Sequence, residues 1–358
     1  MVDYDRLLPY GWTADLSAAY AGLLDTGWVP ARVIRMDRSE CDVATPDGLA
    51  RASCPRADTN INGLCTGDWV AVAPAETSAG PAFMVRKLLP RRTILQRATV
   101  SGRSDAQVLA TNVDTVAICV AADGEIDLGR IERMLALVWE SGAQPVVVLT
   151  KCDLAPDVSV PDVRAAAPGA AVVPVSATTG AGMDVLRAVA AGTIALIGSS
   201  GAGKSTLANA LLGEEVFATD RVRASDKRGR HTTVHRELRP IPGGGTLIDT
   251  PGLRAIGLWA AEQGLARTFT DIESLAAQCR FSDCEHRTEP GCAILAALDT
   301  GELPQRRLDS YRKLQRENDR LAARSDARLR AERERVWREI SKSQRRMYKE
   351  RDPRRHRR

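Results

Sequence analysis

No window of this 358-residue chain approaches the about 20 consecutive apolar residues that a membrane-spanning helix needs. The N-terminus lacks the charged-then-apolar pattern of a signal peptide. No internal repeat is visible. These absences predict a soluble, cytoplasmic chain with no membrane partner. Histidine is scarce, at four residues, and cysteine numbers eight. Nothing marks the chain as secreted, so disulfides are not expected. Cys41, Cys54, Cys65, Cys119 and Cys152 are scattered and read as ordinary reduced residues. With 44% hydrophobic residues, the chain is long enough for two or three modules.

The strongest signal present is a glycine-rich run: Gly198, Ser199, Ser200, Gly201, Ala202, Gly203, Lys204, Ser205. It fits G-x-x-x-x-G-K-[ST] and lies between an apolar strand, Thr193 to Ile197, and a helical run, Thr206 to Leu212. Strand, glycine loop and helix together make a phosphate cradle. Glycines let backbone N–H groups converge on an anion, and the helix N-terminus adds partial positive charge. Lys204 is expected to reach the β- and γ-phosphates, and Ser205 to hold Mg²⁺.

Thr150, Lys151, Cys152 and Asp153 follow the apolar strand Pro145 to Leu149 and match [NT]-K-x-D. A carboxylate here would accept two hydrogen bonds from guanine's N1–H and exocyclic amine, a donor pair that adenine lacks. Ser176 and Ala177, after the strand Ala171 to Val175, match a base-supporting S-A element. Downstream of the phosphate loop come Arg228-Gly-Arg-His231-Thr232-Thr233 and then Asp249-Thr-Pro-Gly252 at another strand end. Asp249 is expected to bind Mg²⁺ through water. Gly252 N–H would sense the γ-phosphate, and one of Thr232 or Thr233 would give a hydroxyl to Mg²⁺.

The order of these motifs is the unusual feature. The base-reading motif precedes the phosphate loop, so a parallel sheet has been cut open at a different loop. Such permutation costs little when the old termini lie close together at the surface. The segment after Asp249 then runs directly into Cys279, Cys284, His286 and Cys292, spaced C-x4-C-x-H-x5-C. Three thiols and an imidazole suit a structural Zn²⁺ with a filled tetrahedral shell.

Together these motifs resemble the circularly permuted, small-subunit-dependent ribosome biogenesis GTPases of the RsgA family. The resemblance runs over roughly residues 30 to 315. It implies an N-terminal OB-fold, a central GTPase, a zinc module, and GTP hydrolysis stimulated by the small ribosomal subunit. The predicted fold class is therefore multidomain. A five-stranded OB-like β-barrel precedes a doubly wound, circularly permuted P-loop GTPase and an α-helical zinc module with a basic C-terminal helix. Predicted boundaries are a lead-in over 1–28, barrel over 29–95, GTPase over 96–258, zinc module over 259–304 and basic tail over 305–358. The barrel can also be read from short β-rich pieces between Val29 and Leu89, broken by turns such as Pro46-Asp-Gly48. Between Val113 and Ile197 strands and helices alternate, as a parallel sheet requires.

Charge is uneven. From Gln305 onward 21 Lys and Arg face 9 Asp and Glu, a net of +12 in a chain whose total is +5, so the remainder carries −7. A basic tail on a mildly acidic body points to a polyanionic partner, which the resemblance implies is the small subunit and its 16S rRNA. Leu308 to Met347 is predicted to form a long exposed helix, and Arg86, Lys87, Arg91, Arg92 and Arg97 a basic linker. The position after D-T-P-G that often carries a water-aligning Gln is Leu253, which cannot align water. His231 is expected to fill that role, with Lys204 and Thr233 as the other catalytic groups. Thr150 stands where Asn is more frequent and is expected to lose the amide brace to the phosphate loop. Two readings stay open: a GTP-hydrolysing assembly or checkpoint factor, and a GTP-regulated rRNA-binding module with incidental hydrolysis. A P-loop small-molecule kinase is disfavoured by the two guanine-site motifs. A large-subunit permuted GTPase is disfavoured by the barrel together with the Cys₃His set.

Overall fold

The computed structural model describes residues 4–54, 63–75, 80–98, 106–217, 236–249 and 261–322. The lead-in is a run of short helices, with 3₁₀ turns at Asp5–Tyr10 and Ala21–Thr26 flanking α1 (Ala14–Tyr20). Thr13 starts α1, its Oγ1 accepting from Leu16 N–H. Leu7, Trp12, Leu16, Tyr20 and Leu23 are buried. The Trp12 ring packs edge-on against Trp69 at 5.0 Å. The lead-in therefore packs against the barrel residues Ile34, Ala44, Trp69 and Ala71, apart from the cluster that fills the barrel interior.

Five strands make that barrel: β1 (Val29–Asp37), β2 (Glu40–Thr45), β3 (Gly48–Ser53), β4 (Trp69–Pro74) and β5 (Phe83–Leu88). Pairing runs β1-β2-β3-β5-β4 and returns to β1, so the barrel closes. Only β3 and β5 run parallel. Closure removes sheet edges, and the alternating inward residues Ala31, Val33, Cys41, Val43, Val70, Val72 and Val85 fill the interior.

A hairpin of β6 (Ile94–Ala98) and β7 (Ala106–Thr111) follows, absent from the sequence reading. The GTPase unit then runs β8 (Thr115–Ala121), α2 (Leu128–Glu140), β9 (Gln144–Thr150), α3 (Val160–Ala166), β10 (Ala171–Pro174), α4 (Met183–Val189), β11 (Thr193–Gly198), α5 (Lys204–Leu212), β12 (Glu237–Pro240) and β13 (Thr246–Asp249). Sheet order is β10-β9-β8-β11-β13-β12, parallel except for β12. Alternate residues of each strand face two cores. α2 and α3 cover one, and α4 and α5 the other. The winding direction reverses between β8 and β11. A crevice at that reversal, beyond the carboxyl ends of the strands, is where ligands bind such sheets.

Barrel and GTPase unit are tied by polar contacts that take up Arg91 and Arg92 of the predicted basic linker. Arg91 forms a fork with the buried Asp68 carboxylate at 2.7 Å, and Arg92 reaches Asp114 at 2.9 Å. Asn112 donates to Gly67 O at 3.0 Å and accepts from Arg92 N–H. Gly67 sits at φ +94, and a Cβ there would run into the Thr111 carbonyl. Arg32, in the barrel wall, is buried and donates to the carbonyls of Tyr10 and Asn112. Burial draws its guanidinium down to about 10. The arginines of this joint are thus spent on structure rather than presented to a polyanion.

The C-terminal module comprises α6 (Glu262–Thr268), α7 (Thr270–Ala276), α8 (Ala293–Asp299) and α9 (305–322). The predicted exposed helix is docked where it is described, since Leu308 and Leu314 are buried. Gly264 lies so close to α2 that a Cβ would meet the Ala136 carbonyl, and its N–H donates to Glu140 at 2.8 Å. Among the described residues, no helix is long and apolar enough to cross a membrane.

Candidate nucleotide site and metal centre

The glycine loop grows out of β11 at the sheet reversal. Gly198 pairs with Cys119 of β8 and takes φ +144, where a Cβ would strike the Cys119 carbonyl. That close approach is what its lack of a side chain permits. Gly203 caps α5 at φ +71. Ser199 and Ser200 line the loop, Gly201 and Ala202 turn it, and Ser205 and Thr206 enter the first turn of α5. The Lys204 ammonium curls back over the loop and donates to the carbonyls of Gly198 at 3.0 Å and Ser199 at 2.6 Å.

The end of β9 lies beside this loop. Thr150 is buried, and its hydroxyl bridges Ala202 O at 3.0 Å and Val120 O at 3.3 Å. Threonine lacks the amide, and its hydroxyl instead ties the T-K-C-D segment to the glycine loop. Thr150→Val keeps the shape and removes the donor. Loss of one such bond costs about 1 kcal/mol. GDP affinity, measured by calorimetry, should then fall roughly fivefold while the fold persists.

Lys151 adopts a left-handed backbone at φ 59, and its ammonium pairs with Asp123 at 2.9 Å. Cys152 begins a single 3₁₀ turn ending at Leu154. Its N–H donates to Val175 O at 3.2 Å, and its thiol contacts Leu149 O. That bond seats the base-reading turn on the segment carrying Ser176 and Ala177. Ser176 is buried, its N–H donating to Ala181 O and its Oγ accepting from Thr179 N–H. Asp153 stands exposed at the lip of the crevice. Asp249 ends β13, which runs alongside β11. Gly252, His231, Thr232 and Thr233 fall outside the described residues. Asp123 was missed by motif reading, because a lone acid after a strand carries no pattern.

Some distance along the chain, Cys279, Cys284, His286 and Cys292 bring four donor atoms within 4.8 Å of one another. His286 Nδ1 lies 3.5 Å from both Cys279 Sγ and Cys292 Sγ, and those sulfurs are 3.9 Å apart. A tetrahedral metal with bonds near 2.3 Å to sulfur and 2.0 Å to nitrogen needs about 3.8 Å between sulfurs and about 3.5 Å from sulfur to nitrogen. The residues therefore fit such an ion. Glu289 shapes the loop between ligands. Its carboxylate accepts from the N–H groups of Glu285, Arg287 and Thr288. These donors, Arg287 foremost, pull it down to about 2. Arg312 of α9 donates to His286 O at 2.6 Å, fastening the loop to the last described helix.

The RsgA GTPase family model matches residues 88–259. A small ribosomal subunit biogenesis GTPase RsgA of Streptomyces avermitilis is 57% identical over 339 residues, covering 92% of this chain and 90% of that protein. The protein of the same name from Streptomyces coelicolor is 53% identical, covering 92% and 91%. Among solved structures, YjeQ from Thermotoga maritima superposes with a TM-score of 0.60 at 24% identity, covering 81% of this chain and 98% of that one. YloQ, described as a circularly permuted GTPase, gives 0.55 at 23%, covering 82% and 96%. The likeness to these two concerns the fold alone. Permuted motif order, closed barrel, metal-fitting cluster and these identities agree, and the chain belongs to the RsgA family of GTPases, enzymes that hydrolyse GTP.

Proposed function

We propose that this enzyme couples GTP hydrolysis to biogenesis or late quality control of the small ribosomal subunit, and that the subunit stimulates the reaction. The relatives' printed name supplies the subunit. The observation that carries the site is the Thr150 hydroxyl on Ala202 O at 3.0 Å, across 52 positions of sequence. It makes the base-reading turn and the phosphate loop two walls of one crevice.

In this reading Asp153 selects guanine, with Lys151 and Cys152 forming its turn and Ser176 and Ala177 supporting the base. Backbone N–H groups from Gly198 to Thr206 hold the phosphates, and the Lys204 ammonium leaves the loop carbonyls to neutralise them. Mg²⁺, when bound with GTP, offsets charge on the β- and γ-phosphates. Ser205, Asp249 and one of Thr232 or Thr233 would hold it. His231 orients the attacking water, and Gly252 N–H reports the γ-phosphate. Cys279, Cys284, His286 and Cys292 hold one structural Zn²⁺. The module boundaries follow the lead-in over 1–28, barrel over 29–95, GTPase over 96–258, zinc module over 259–304 and tail over 305–358. The enzyme works as a cytoplasmic monomer, and its tail beyond α9 meets rRNA phosphate.

GTP turnover with and without purified small subunits, at two salt concentrations, tests this. Subunits should raise kcat, with the stimulation weaker at high salt because phosphate contacts are screened. Binding without a change in kcat would favour the alternative, an rRNA-binding module whose hydrolysis is incidental. In the same assay, single-turnover hydrolysis by His231→Ala on saturating subunits should slow by roughly 10²-fold or more, as expected for a lost proton or water-positioning group. Unchanged chemistry at unchanged nucleotide affinity removes His231 from the mechanism. For the metal, elemental analysis should give one zinc per chain. Strong chelation should loosen residues 279–292 in hydrogen exchange while GDP binding persists.

A further inference from the structure

Two of the cysteines that look unrelated in the sequence meet in the barrel. Cys54 Sγ lies 3.4 Å from Cys41 Sγ, 13 positions away. Strand geometry explains the meeting. Cys41 of β2 pairs with Ala52 of β3, and side chains two apart share a face. Cys54, two after Ala52, therefore returns to the inward face, where it packs against the core that holds Cys41. Its N–H donates to Ser39 O at 2.8 Å, which keeps the backbone paired beyond the end of β3.

We propose that Cys41 and Cys54 form a peroxide-reactive thiol pair, a modification site in the barrel that is separate from the metal centre and the nucleotide crevice. The two sulfurs differ in access. Cys41 is buried, whereas Cys54 is half-exposed. The hydrogen bond with Cys41 pulls the Cys54 thiol down, with the Arg51 guanidinium adding to that pull. The same contact pushes Cys41 up. The accessible sulfur is thus the better nucleophile, and the buried one is placed to resolve it.

The chemistry closes without any group beyond the hydroperoxide. Cys54 thiolate attacks a peroxide oxygen. The O–O bond breaks, an S–OH bond forms, and hydroxide leaves to become water. Cys41 sulfur then attacks Cys54 sulfur. The S–S bond forms, the S–O bond breaks, and the departing hydroxide takes the Cys41 proton as water. Two thiols are oxidised, and one peroxide is reduced to two waters. The sulfurs need close by only about 1.4 Å to reach bonding distance, since a disulfide spans about 2.05 Å and they already stand at 3.4 Å.

The place of the bond gives it a consequence. β3 closes the barrel onto β5 through only two pairs, Ala52 with Phe83 and Ser53 with Met84. Ser53 Oγ adds a bond to Phe83 O at 3.4 Å. A covalent link from Cys54 back to β2 holds the end of β3 at this short seam. The oxidised barrel is therefore stiffer where it closes.

The test uses the full-length, metal-loaded protein. Reduced enzyme is treated with a few equivalents of hydrogen peroxide, alkylated, digested with trypsin and mapped by mass spectrometry. Tryptic peptides 39–51 and 52–56 should appear joined, two hydrogens lighter than their sum. Hydrogen exchange at Ala52, Ser53, Phe83 and Met84 should slow at least tenfold and recover with a thiol reductant. Cys41→Ala should leave Cys54 as a sulfenic acid that a 1,3-dione traps. Cys54→Ser should leave Cys41 reduced, and fully alkylatable once the treated protein is denatured. The proposal fails if Cys54 in the wild-type protein stays fully alkylatable, or if it stops at the trapped sulfenic acid with Cys41 present. Should either variant not fold, the joined peptide and the exchange change in the wild-type protein decide the matter alone.

Discussion

Asp153→Asn should weaken GDP binding about 10²-fold and invert base preference toward xanthine. The carboxylate offers two acceptors to guanine's two donors. Asparagine offers one acceptor and one donor, so one guanine N–H meets another N–H. Charge-assisted hydrogen bonds contribute about 1.5–3 kcal/mol each. Asp153 lies at the exposed lip of the crevice, where water competes, so about 3 kcal/mol is the appropriate scale, or roughly 10²-fold. Xanthine carries a carbonyl in place of the exocyclic amine, which the new amide N–H can satisfy. Calorimetric titration with GDP, ADP and xanthosine diphosphate reads this directly. Equal affinities of wild type and variant for GDP would place the guanine-reading group elsewhere. ATP displacing GDP as readily as GTP does would carry the same message.

The second large effect concerns how the module with the metal-fitting cluster is held. Arg307 of α9 is 2% exposed, and Glu132 of α2 is fully buried. The guanidinium reaches Glu132 at 2.8 Å and forks onto Asp271 of α7 at 2.7 and 2.9 Å. It also donates to the carbonyls of Thr268 and Ala166, and it stacks on Phe269 at 4.6 Å. Removing one partner of a buried pair strands the other charge, at a cost of about 3–5 kcal/mol. Arg306 also reaches Glu132, at 2.9 Å, so the lower end applies. For Arg307→Ala the thermal midpoint should drop by about 10 °C, with α6 to α9 loosening first in hydrogen exchange. Nucleotide binding should persist at lower temperature, because the crevice lies beyond the carboxyl ends of the strands, whereas Arg307 contacts α2 and α3 on one face of the sheet. Adding Glu132→Gln, which removes the stranded charge, should recover part of the loss. A midpoint within 2 °C of wild type, on the same scale, would show that apolar contacts such as Leu308 and Leu314 hold α9 without the ion pair.

This docking also fixes the start of the C-terminal module. Asp249 ends β13, and the chain is next described at Ala261, whose N–H donates to Asn318 of α9 at 2.8 Å. Arg133 of α2 clasps Glu317 with two bonds of 2.6 Å. The start of α6 is thereby fixed to both α2 and α9. Any shift that follows Asp249 meets a module already clamped to the helix between β8 and β9.

Motif chemistry and strand periodicity were legible in the residues because both are local. A phosphate cradle needs glycines, Lys204 and Ser205 in one short loop. Four metal donors need to lie within reach along a few turns of chain. Short β-rich pieces set between turn residues mark strands wherever they sit, so the five barrel strands could be read directly. The β6–β7 hairpin and the short reversed β12 had no such mark. A four-residue strand held between β13 and β1 owes its state to its neighbours rather than to its own sequence.

Partner choice was decided by the tertiary structure alone. Arg91 and Arg92 read as part of a basic linker, yet they grip Asp68 and Asp114, 23 and 22 positions away. Thr150 read as a weakened asparagine, yet its hydroxyl found Ala202. Arg307 read as one charge among the many of a basic tail, yet it is the buried hub between α2, α7 and α9. In each case the side chain's chemistry was known from its identity. Whether that chemistry was spent on water, on a ligand or on another segment depended on which distant backbone the fold laid beside it.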